Sequence, residues 1–348
     1  MFAQASRWMF WLPLTMTGLA LGEEGRLERF EFAETHMGSQ FKVVLYTLDE
    51  PTARRASRAA FARIAALDAT LSDYRPDSEL SRLCDQAGGP PVPVGKDLFD
   101  LLARSKTMYE RSGGAFDVTI APVGRLWRRA RRDRKLPDPE LLAKARALVG
   151  SDRMRLDAEA RTVQLLQPGM KIDLGAIAKG YASDEAVQVL KEEGVPRALV
   201  AGSGDIVVGD SPPGALGWTI GIAPLDDPAA PPTKFLRVRN AAVSTSGDAA
   251  RFVEIGGTRY SHIIDPKTGL GMVEHAGVTV IAPDGATADA LDTTVYLLGP
   301  EKGIALVESF GASVLIVRDN GRGRQVFESR GIKPYLTSGA KSAETLRP

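Results

Sequence analysis

The chain has 348 residues, of which 44% are hydrophobic and 25% are charged, and its formal net charge is +1. These values are typical of a globular protein with a sizeable core, arranged as one large domain or two smaller ones. The near-neutral charge gives no support for a nucleic-acid partner or an anionic membrane surface. The single cysteine, Cys84, excludes an internal disulfide and a cysteine-rich metal site.

The first 22 residues differ in composition from the rest of the chain. Arg7 precedes the apolar run WMFWLPLTMTGLALG, which is shorter than the about 20 residues that span a bilayer. Small residues, Ala20 and Gly22, lie where a signal peptidase cuts, so we predict a signal peptide over residues 1–22; a buried helix is the alternative. Without a cysteine at the junction a lipid anchor is excluded, and we expect an exported, periplasmic protein. No later apolar run approaches membrane-spanning length.

Hydrophobic periodicity and turn residues predict strands and helices along the remaining chain. We expect strands within residues 26–32, 40–47, 154–166, 170–174, 198–210, 218–223, 234–248, 251–266, 274–283, 312–317 and 324–329. We expect helices within residues 51–71, 97–112, 137–148, 176–190, 287–299 and 300–310, and a short helix capped by Asp77 or Ser78. The polar tail, residues 337–348, is expected to be disordered.

The stretch KIDLGAIAKGYASD, residues 171–184, carries polar groups at the junction of a predicted strand and helix. Its apolar run ends at a turn with Asp173 and Gly175, and a helix with Lys179 is expected to start at Ala176. A carboxylate and small residues at the mouth of a helix suit a phosphate-bearing ligand. An ordinary strand-to-helix connection is the alternative.

Seven basic residues lie among the eleven of the run RLWRRARRDRK, residues 125–135. Such a run favours a solvated face or loop. The alternative is attraction of an anionic ligand or of an acidic protein surface.

The remaining polar residues favour oxygen-based chemistry. The three histidines match no zinc motif, and the chain has neither a serine nucleophile elbow nor a Walker loop. Asp289 and Thr293 lie four residues apart, so their side chains share one face of the predicted helix and suit a hard cation such as Mg²⁺. Alternatively, both residues serve the helix itself: the Asp289 carboxylate interacts favourably with the helix dipole, and the Thr293 hydroxyl bonds to a backbone group of its own helix.

Several segments, read together, resemble the ApbE family of FAD:protein FMN transferases. These segments are, in chain order, HMGSQFKV, LSDYRPDSELSRL, GGAFDVT, KIDLGAIAKGYASD, GSGDIVVG, STSGDAARFVEIGGTRYSHIIDPKTG and ADALDTTVYLLGPEKG. The resemblance covers about residues 30–336, nearly the whole mature chain. The chain departs from the common family pattern at Cys84, where asparagine is frequent, and in the basic run, which replaces a loop containing glycine.

The resemblance implies an α+β, T-fold-like domain over residues 23–336, with mixed or antiparallel sheets flanked by helices around a central ligand cleft. It implies magnesium-dependent transfer of FMN from FAD to a Thr or Ser hydroxyl of an acceptor flavoprotein, with release of AMP. The metal ligands implied are Asp289, Thr293 and the carbonyl of Ala176. The flavin-nucleotide contacts implied are Met37, Tyr74, Ala115, Phe116, Asp117, Asp173, Lys179 and Ile263.

The catalytic residues and the partner are less closely defined. His262 is our candidate for the base that takes the acceptor's proton, with Asp265 or Asp248 as rivals. The acceptor implied is a subunit of a membrane redox complex. A magnesium-dependent FAD pyrophosphatase and an exported FAD carrier without turnover are the alternatives. Within residues 171–184 we expect the glycines to matter less than Asp173, Lys179 and the Ala176 carbonyl.

Overall fold

The computed structural model describes residues 27–227, 230–248, 252–319, 321 and 323–337. The predicted signal peptide, residues 1–22, lies outside the described residues. The predicted tail also lies outside them, except for Thr337, which ends a short strand paired with Phe235. No helix among the described residues is long and apolar enough to cross a membrane.

Helices and strands alternate along the described part of the chain. Its α-helices are α1 Glu50–Leu71, α2 Glu79–Asp85, α3 Lys96–Arg111, α4 Ala121–Asp133, α5 Pro139–Arg146, α6 Ala178–Glu192, α7 Gly285–Leu298 and α8 Pro300–Ser309. Its strands are β1 Glu28–His36, β2 Ser39–Thr47, β3 Val92–Pro93, β4 Met154–Asp157, β5 Thr162–Leu165, β6 Ala198–Gly202, β7 Asp205–Val208, β8 Trp218–Ile222, β9 Lys234–Val238, β10 Ala241–Gly247, β11 Phe252–Ile255, β12 Thr258–Ser261, β13 His275–Ala282, β14 Ser313–Asp319, β15 Arg324–Glu328 and β16 Leu336–Thr337.

One sheet organises the fold. Its strand order among the described residues is β1-β2-β6-β7-β10-β13-β14-β15, and every neighbouring pair is antiparallel. Three smaller sheets have the orders β16-β9-β8, β3-β5-β4 and β11-β12. The predicted α+β class, with antiparallel sheets flanked by helices, is confirmed.

The two faces of the main sheet are buried against different layers, because successive side chains of a strand point to opposite faces. Phe41, Val43 and Leu45 of β2 lie in the core shared with the helices, whereas Val44 packs with Trp218 of β8. Helices α1, α6 and α7 therefore cover one face, and the sheet β16-β9-β8 covers the other.

A third apolar cluster joins α4 to the β11–β12 hairpin. Trp127 of α4 packs against Tyr260 with ring centroids 5.5 Å apart, and its Nε1 donates a hydrogen bond of 2.5 Å to the Gly269 carbonyl. Val253 of β11 is buried in the same cluster. This packing holds the hairpin against α4, beside the main core.

Two local predictions within the first half of the chain are wrong. Residues 170–174 form no strand. The N–H of Asp173 bonds to the Val118 carbonyl, but the segment forms no further strand pairing among the described residues. The next helix begins at Ala178 rather than at Ala176, after a turn at residues 175–177. By contrast, the prediction of a solvated face for the basic run is confirmed: the run lies largely on the helix α4, and six of its seven basic residues are exposed.

Candidate active site

Helices α6 and α7 cross with their backbones in close approach. A Cβ added to Gly180 would lie 2.1 Å from the carbonyl oxygen of Gly285, and one added to Gly285 would lie 2.4 Å from that of Gly180. Asp184 strengthens the contact, because its carboxylate accepts hydrogen bonds from the N–H groups of Gly285 and Ala286 at 2.6 and 3.0 Å. Only glycine allows this separation, so our expectation that the glycines of this stretch are secondary is wrong for Gly180.

The crossing places a charged cluster at the start of α6. The buried carboxylate of Asp289, on α7, accepts a hydrogen bond of 3.0 Å from the N–H of Gly180. The ammonium group of Lys179 bonds to Asp205, at the start of β7, and lies 3.7 Å from Asp289. Burial acts to lower the pKa of Lys179, but Asp205 and Asp289 together raise it, so the lysine is charged.

A buried serine connects two carboxyl groups of this cluster. Ser244 Oγ lies 2.5 Å from Oδ1 of Asp205 and 2.5 Å from Oδ2 of Asp292. A hydroxyl has one proton to donate, so one of these carboxyl groups carries a proton. Burial, with the nearby charges of Asp289 and Asp205, raises the pKa of Asp292 well above its usual range. We infer that Asp292 is the protonated group.

The predicted metal ligands offer three kinds of oxygen. Burial and the charge of Asp205 raise the pKa of Asp289 to about 7. The nearby positive charge is therefore too small to offset the cost of burying the ionised carboxylate. Thr293 Oγ1 lies 3.2 Å from Oδ1 of Asp292 and 3.3 Å from Oγ of Ser246. Among the described residues, no backbone N–H outside the helices and strands is donated to the carbonyl of Ala176.

These oxygens fit Mg²⁺, which binds one or two protein carboxylates and completes its shell with water and substrate phosphate. Within the described residues no three His, Cys, Asp or Glu side chains form a metal cluster. A set with a single carboxylate, a hydroxyl and a carbonyl agrees with that finding. A divalent cation beside Asp289 would also supply the positive charge that the cluster lacks.

A second group of predicted residues meets around Arg128 of α4. The guanidinium of Arg128 lies 3.7 Å from the carboxylate of Asp173, 3.4 Å from that of Asp73 and 5.1 Å from the ring centre of Tyr74. Tyr74 is 75% exposed, so its ring is available to a ligand. Burial and the nearby Asp173 raise the pKa of Asp73. Sequence reasoning did not single out Arg128, which lies inside the basic run.

The two groups are joined by a short segment of chain. Asp173 N–H is fixed by the Val118 carbonyl at 2.7 Å, and its Oδ1 accepts a bond of 2.9 Å from the N–H of Gly175. The chain then turns into α6, so Lys179 follows Asp173 by six residues. The structure therefore connects Asp173 and Tyr74, through this segment, to the cluster around Asp289.

Met37 lies in the turn between β1 and β2. Met37 and Gly38 both have positive φ, 49° and 67°, as a tight two-residue hairpin turn requires. Methionine rarely adopts this conformation, and such strain is common where a side chain serves a ligand. The side chain packs at the edge of the main core.

The remaining predicted flavin contacts are buried. Ala115 and Phe116 precede a short helical turn, and Ile263 follows β12. The carboxylate of Asp117 accepts bonds from the hydroxyls of Thr119 and Ser151, both at 2.6 Å. Asp117 thus stabilises its own loop. The role of Ala115, Phe116, Asp117 and Ile263 as flavin contacts stays a prediction.

The rival bases Asp248 and Asp265 both make defined contacts. The buried Asp248 bonds to Nε of Arg259 and to Nδ1 of His275, both at 2.8 Å. The carboxylate of Asp265 accepts a bond of 2.9 Å from the N–H of Lys267 and shapes a turn. His262, directly after β12, is half-buried, and Ile263 N–H is held by Ser261 Oγ at 3.1 Å.

Comparison with known proteins relates the chain to flavin transferases. The FAD:protein FMN transferase of Treponema pallidum (strain Nichols) is 35% identical over 320 residues, which cover 87% of this chain and 88% of that protein. The protein of the same name from Klebsiella pneumoniae (strain 342) is 30% identical over 310 residues, covering 86% and 87%.

Solved structures show the same fold. Flavin transferase ApbE from Vibrio cholerae has a TM-score of 0.80 and 27% identity, covering 89% of this chain and all of that one. The apo form of the flavinyl transferase ApbE from Pseudomonas stutzeri has a TM-score of 0.79 and 30% identity, covering 90% and 98%. A family model described as "ApbE family" matches residues 37–316. The resemblance found in the sequence is confirmed, and the chain belongs to the ApbE family.

Proposed function

We propose that this chain is an enzyme that transfers FMN from FAD to a Thr or Ser hydroxyl of an acceptor flavoprotein, in a magnesium-dependent reaction that releases AMP. The names of its relatives support flavin transfer to protein. The observation that carries the finer proposal is the cluster at the α6–α7 crossing, where Lys179 stands against the carboxylates of Asp205 and Asp289. With Asp292 protonated, this cluster keeps one negative charge in excess.

The residues have separate tasks in binding FAD and its metal. Asp289, Thr293 and the Ala176 carbonyl would hold Mg²⁺, which would withdraw negative charge from the pyrophosphate and so favour AMP as the leaving group. Tyr74 and Met37 offer aromatic and apolar surface to a ring system of FAD. Asp173 and Arg128, which lie beside Tyr74, would hold polar groups of FAD.

The transfer step is a substitution at phosphorus. The acceptor's hydroxyl oxygen forms a new bond to the phosphorus on the riboflavin side of the pyrophosphate. The bond from that phosphorus to the bridging oxygen breaks, and AMP leaves with the bridging oxygen. The hydroxyl proton passes to the base, so the product is a phosphate ester between FMN and the acceptor.

We propose His262 as the base that takes the acceptor's proton. Asp248 already holds Arg259 and His275, and Asp265 is used in a turn. A neutral imidazole nitrogen accepts a proton, as a general base must. The position of His262 directly after β12, beside the buried Ser261, fixes its backbone.

The compartment is proposed from the sequence, and the partner from the resemblance to the ApbE family. We propose export to the periplasm, on the strength of the apolar run within residues 1–22. The acceptor is then a flavin-carrying subunit of a membrane redox complex that faces the same compartment.

One incubation separates transfer from the alternatives. The chain is mixed with FAD, Mg²⁺ and a purified flavin-carrying subunit, and the products are resolved on a denaturing gel and by chromatography. Flavin fluorescence in the acceptor band with release of AMP supports transfer. Free FMN with AMP shows a pyrophosphatase instead, and unchanged FAD shows a carrier without turnover.

The role of His262 is tested in the same assay. His262→Ala is expected to bind FAD as the parent does and to lose at least about 100-fold in transfer rate, with partial rescue by added imidazole. Asp265→Asn serves as the matched control, since it keeps a turn-forming oxygen and should keep the parental rate. Transfer by His262→Ala at the parental rate would show that another group takes the proton.

A further inference from the structure

A groove runs between the outward face of α4 and the strand β11. Its volume is about 620 Å³, and its lining consists of Arg128, Arg131, Arg132, Arg134, Phe252, Val253 and Glu254. Four of these lining residues carry a guanidinium group, and only one, Glu254, carries a carboxylate. We call this feature the arginine groove.

The walls of the arginine groove are held rigidly. Trp127, on the buried face of α4, packs against Tyr260 of the hairpin and bonds to the Gly269 carbonyl. Val253 lies in the same apolar cluster as Trp127 and also lines the groove. A preformed surface loses little conformational entropy when a partner binds.

Within the described part of the chain, Arg131 and Arg134 are free to meet a partner, whereas Arg128 pairs with Asp73 and Asp173. Arg132 pairs with the exposed Asp133 on its own helix. Among the described residues, no ion pair or side-chain hydrogen bond involves Arg131 or Arg134. The whole chain carries a net charge of only +1, so this concentration of positive charge is local. The occupant that it favours is anionic.

The arginine groove adjoins the active site at both walls. Arg128 lines the groove and also lies 3.7 Å from Asp173 and 5.1 Å from the ring centre of Tyr74. On the other wall, Phe252 pairs in register with Ser261, the residue before His262. A chain lying in the groove would therefore pass between the FAD site and the proposed base.

The hairpin wall favours a polypeptide over a nucleic acid. Within the described residues, β11 pairs only with β12, so the backbone N–H and C=O groups of its other edge remain available to an extended chain. Phe252 is 38% exposed, with the guanidinium of Arg259 3.4 Å from its ring centre. We propose that the arginine groove binds an acidic segment of the acceptor protein next to the hydroxyl that receives FMN. This inference rests on the proposed function.

Binding is measured with a fluorescein-labelled peptide that has a central threonine flanked by four glutamates on each side. We expect it to bind the full chain, and to bind at least about tenfold more weakly to Arg131→Gln/Arg132→Gln/Arg134→Gln and at raised salt. The control variant neutralises three exposed arginines outside the groove and should bind like the parent: Arg58→Gln, Arg155→Gln and Arg239→Gln. Equal Kd values for parent and groove variant, or no binding by the parent, would overturn the proposal. So would tighter binding of a uridine oligonucleotide that depends on the same three arginines.

Transfer to the same peptide gives the functional readout. The groove variant is expected to raise the KM for the peptide at least about tenfold, with kcat and FAD binding within about twofold of the parent. A loss of kcat with unchanged KM would contradict docking. If the parent binds the peptide in a groove-dependent way but attaches no FMN to it, the docking surface stands and the proposed transfer reaction fails for this hydroxyl.

Discussion

Substituting alanine for Gly180 tests whether the α6–α7 crossing is as tight as the structure shows. The new Cβ would lie 2.1 Å from the carbonyl oxygen of Gly285 and 2.9 Å from Cβ of Asp289. The nearest of these atoms is backbone, so the contact cannot be relieved by rotating a side chain. The helices must separate by about 1 Å to restore a normal van der Waals contact.

Three contributions set the size of the effect. Alanine favours a helix interior over glycine by about 1 kcal/mol. Forcing a methyl group into a packed contact costs about 1–3 kcal/mol. Separation also breaks the hydrogen bond of 3.0 Å from Gly180 N–H to the buried Asp289, at a further cost of about 1.5–3 kcal/mol. We therefore expect Gly180→Ala to lower the free energy of unfolding by about 1.5–5 kcal/mol.

Urea unfolding, followed by tryptophan fluorescence without FAD or Mg²⁺, measures this loss. Gly124→Ala is the matched control: Gly124 is also buried near the start of a helix, but an added Cβ would meet only Asp173 Oδ2, at 3.8 Å. The control should be as stable as the parent or gain up to about 1 kcal/mol. If both variants gain stability alike, the helices do not cross as closely as we infer.

Three further outcomes are expected. Asp289→Asn should raise the Mg²⁺ concentration needed for half-maximal transfer at least about tenfold, whereas Asp292→Asn, which replaces a protonated group, should change it less than about twofold. Met37→Gly should weaken FAD binding without loss of stability, whereas Arg161→Gly, at another positive φ (48°), should leave FAD binding unchanged. Burial raises the pKa of Asp184 to about 7, above its unfolded value near 3.9. The stability that protonated Asp184 contributes is therefore lost as the pH rises from about 4 to about 7. Relative to Asp184→Asn, the parent should lose stability between about pH 4 and 7; parallel pH profiles in urea unfolding would contradict this.

Sequence patterns predict the central strands well because burial decides them. In β2, Phe41, Val43 and Leu45 face the helices while Val44 faces the smaller sheet, so residues 43–45 form a continuous apolar run. The same apolar pattern misleads at residues 170–174. There Met170, Ile172 and Leu174 are buried as in a strand, but no neighbouring strand is present to pair with them among the described residues. Periodicity reports burial of side chains and not the pairing of the backbone.

Long-range neighbours explain what the sequence could not predict at the site. The pairing of Asp289 with Thr293 is local, because four residues make one helical turn. The contact of Asp289 with the N–H of Gly180 joins residues 109 positions apart, and that of Arg128 with Asp73 joins residues 55 apart. Neither spacing leaves a periodic signal. Arg128 could not be singled out from the sequence, because it lies within a run of basic residues and such a run is usually solvated.

The site cannot be separated from the contacts that fold the chain around it. Gly180 permits the helix crossing by lacking a side chain, and its N–H holds the carboxylate that we propose as a metal ligand. Arg128 likewise contacts Asp173 while lining the arginine groove. Loss of transfer after substitution at either position therefore does not by itself assign a chemical role. Only the comparison of unfolding free energy, FAD affinity and transfer rate in one variant distinguishes a misplaced site from a missing group.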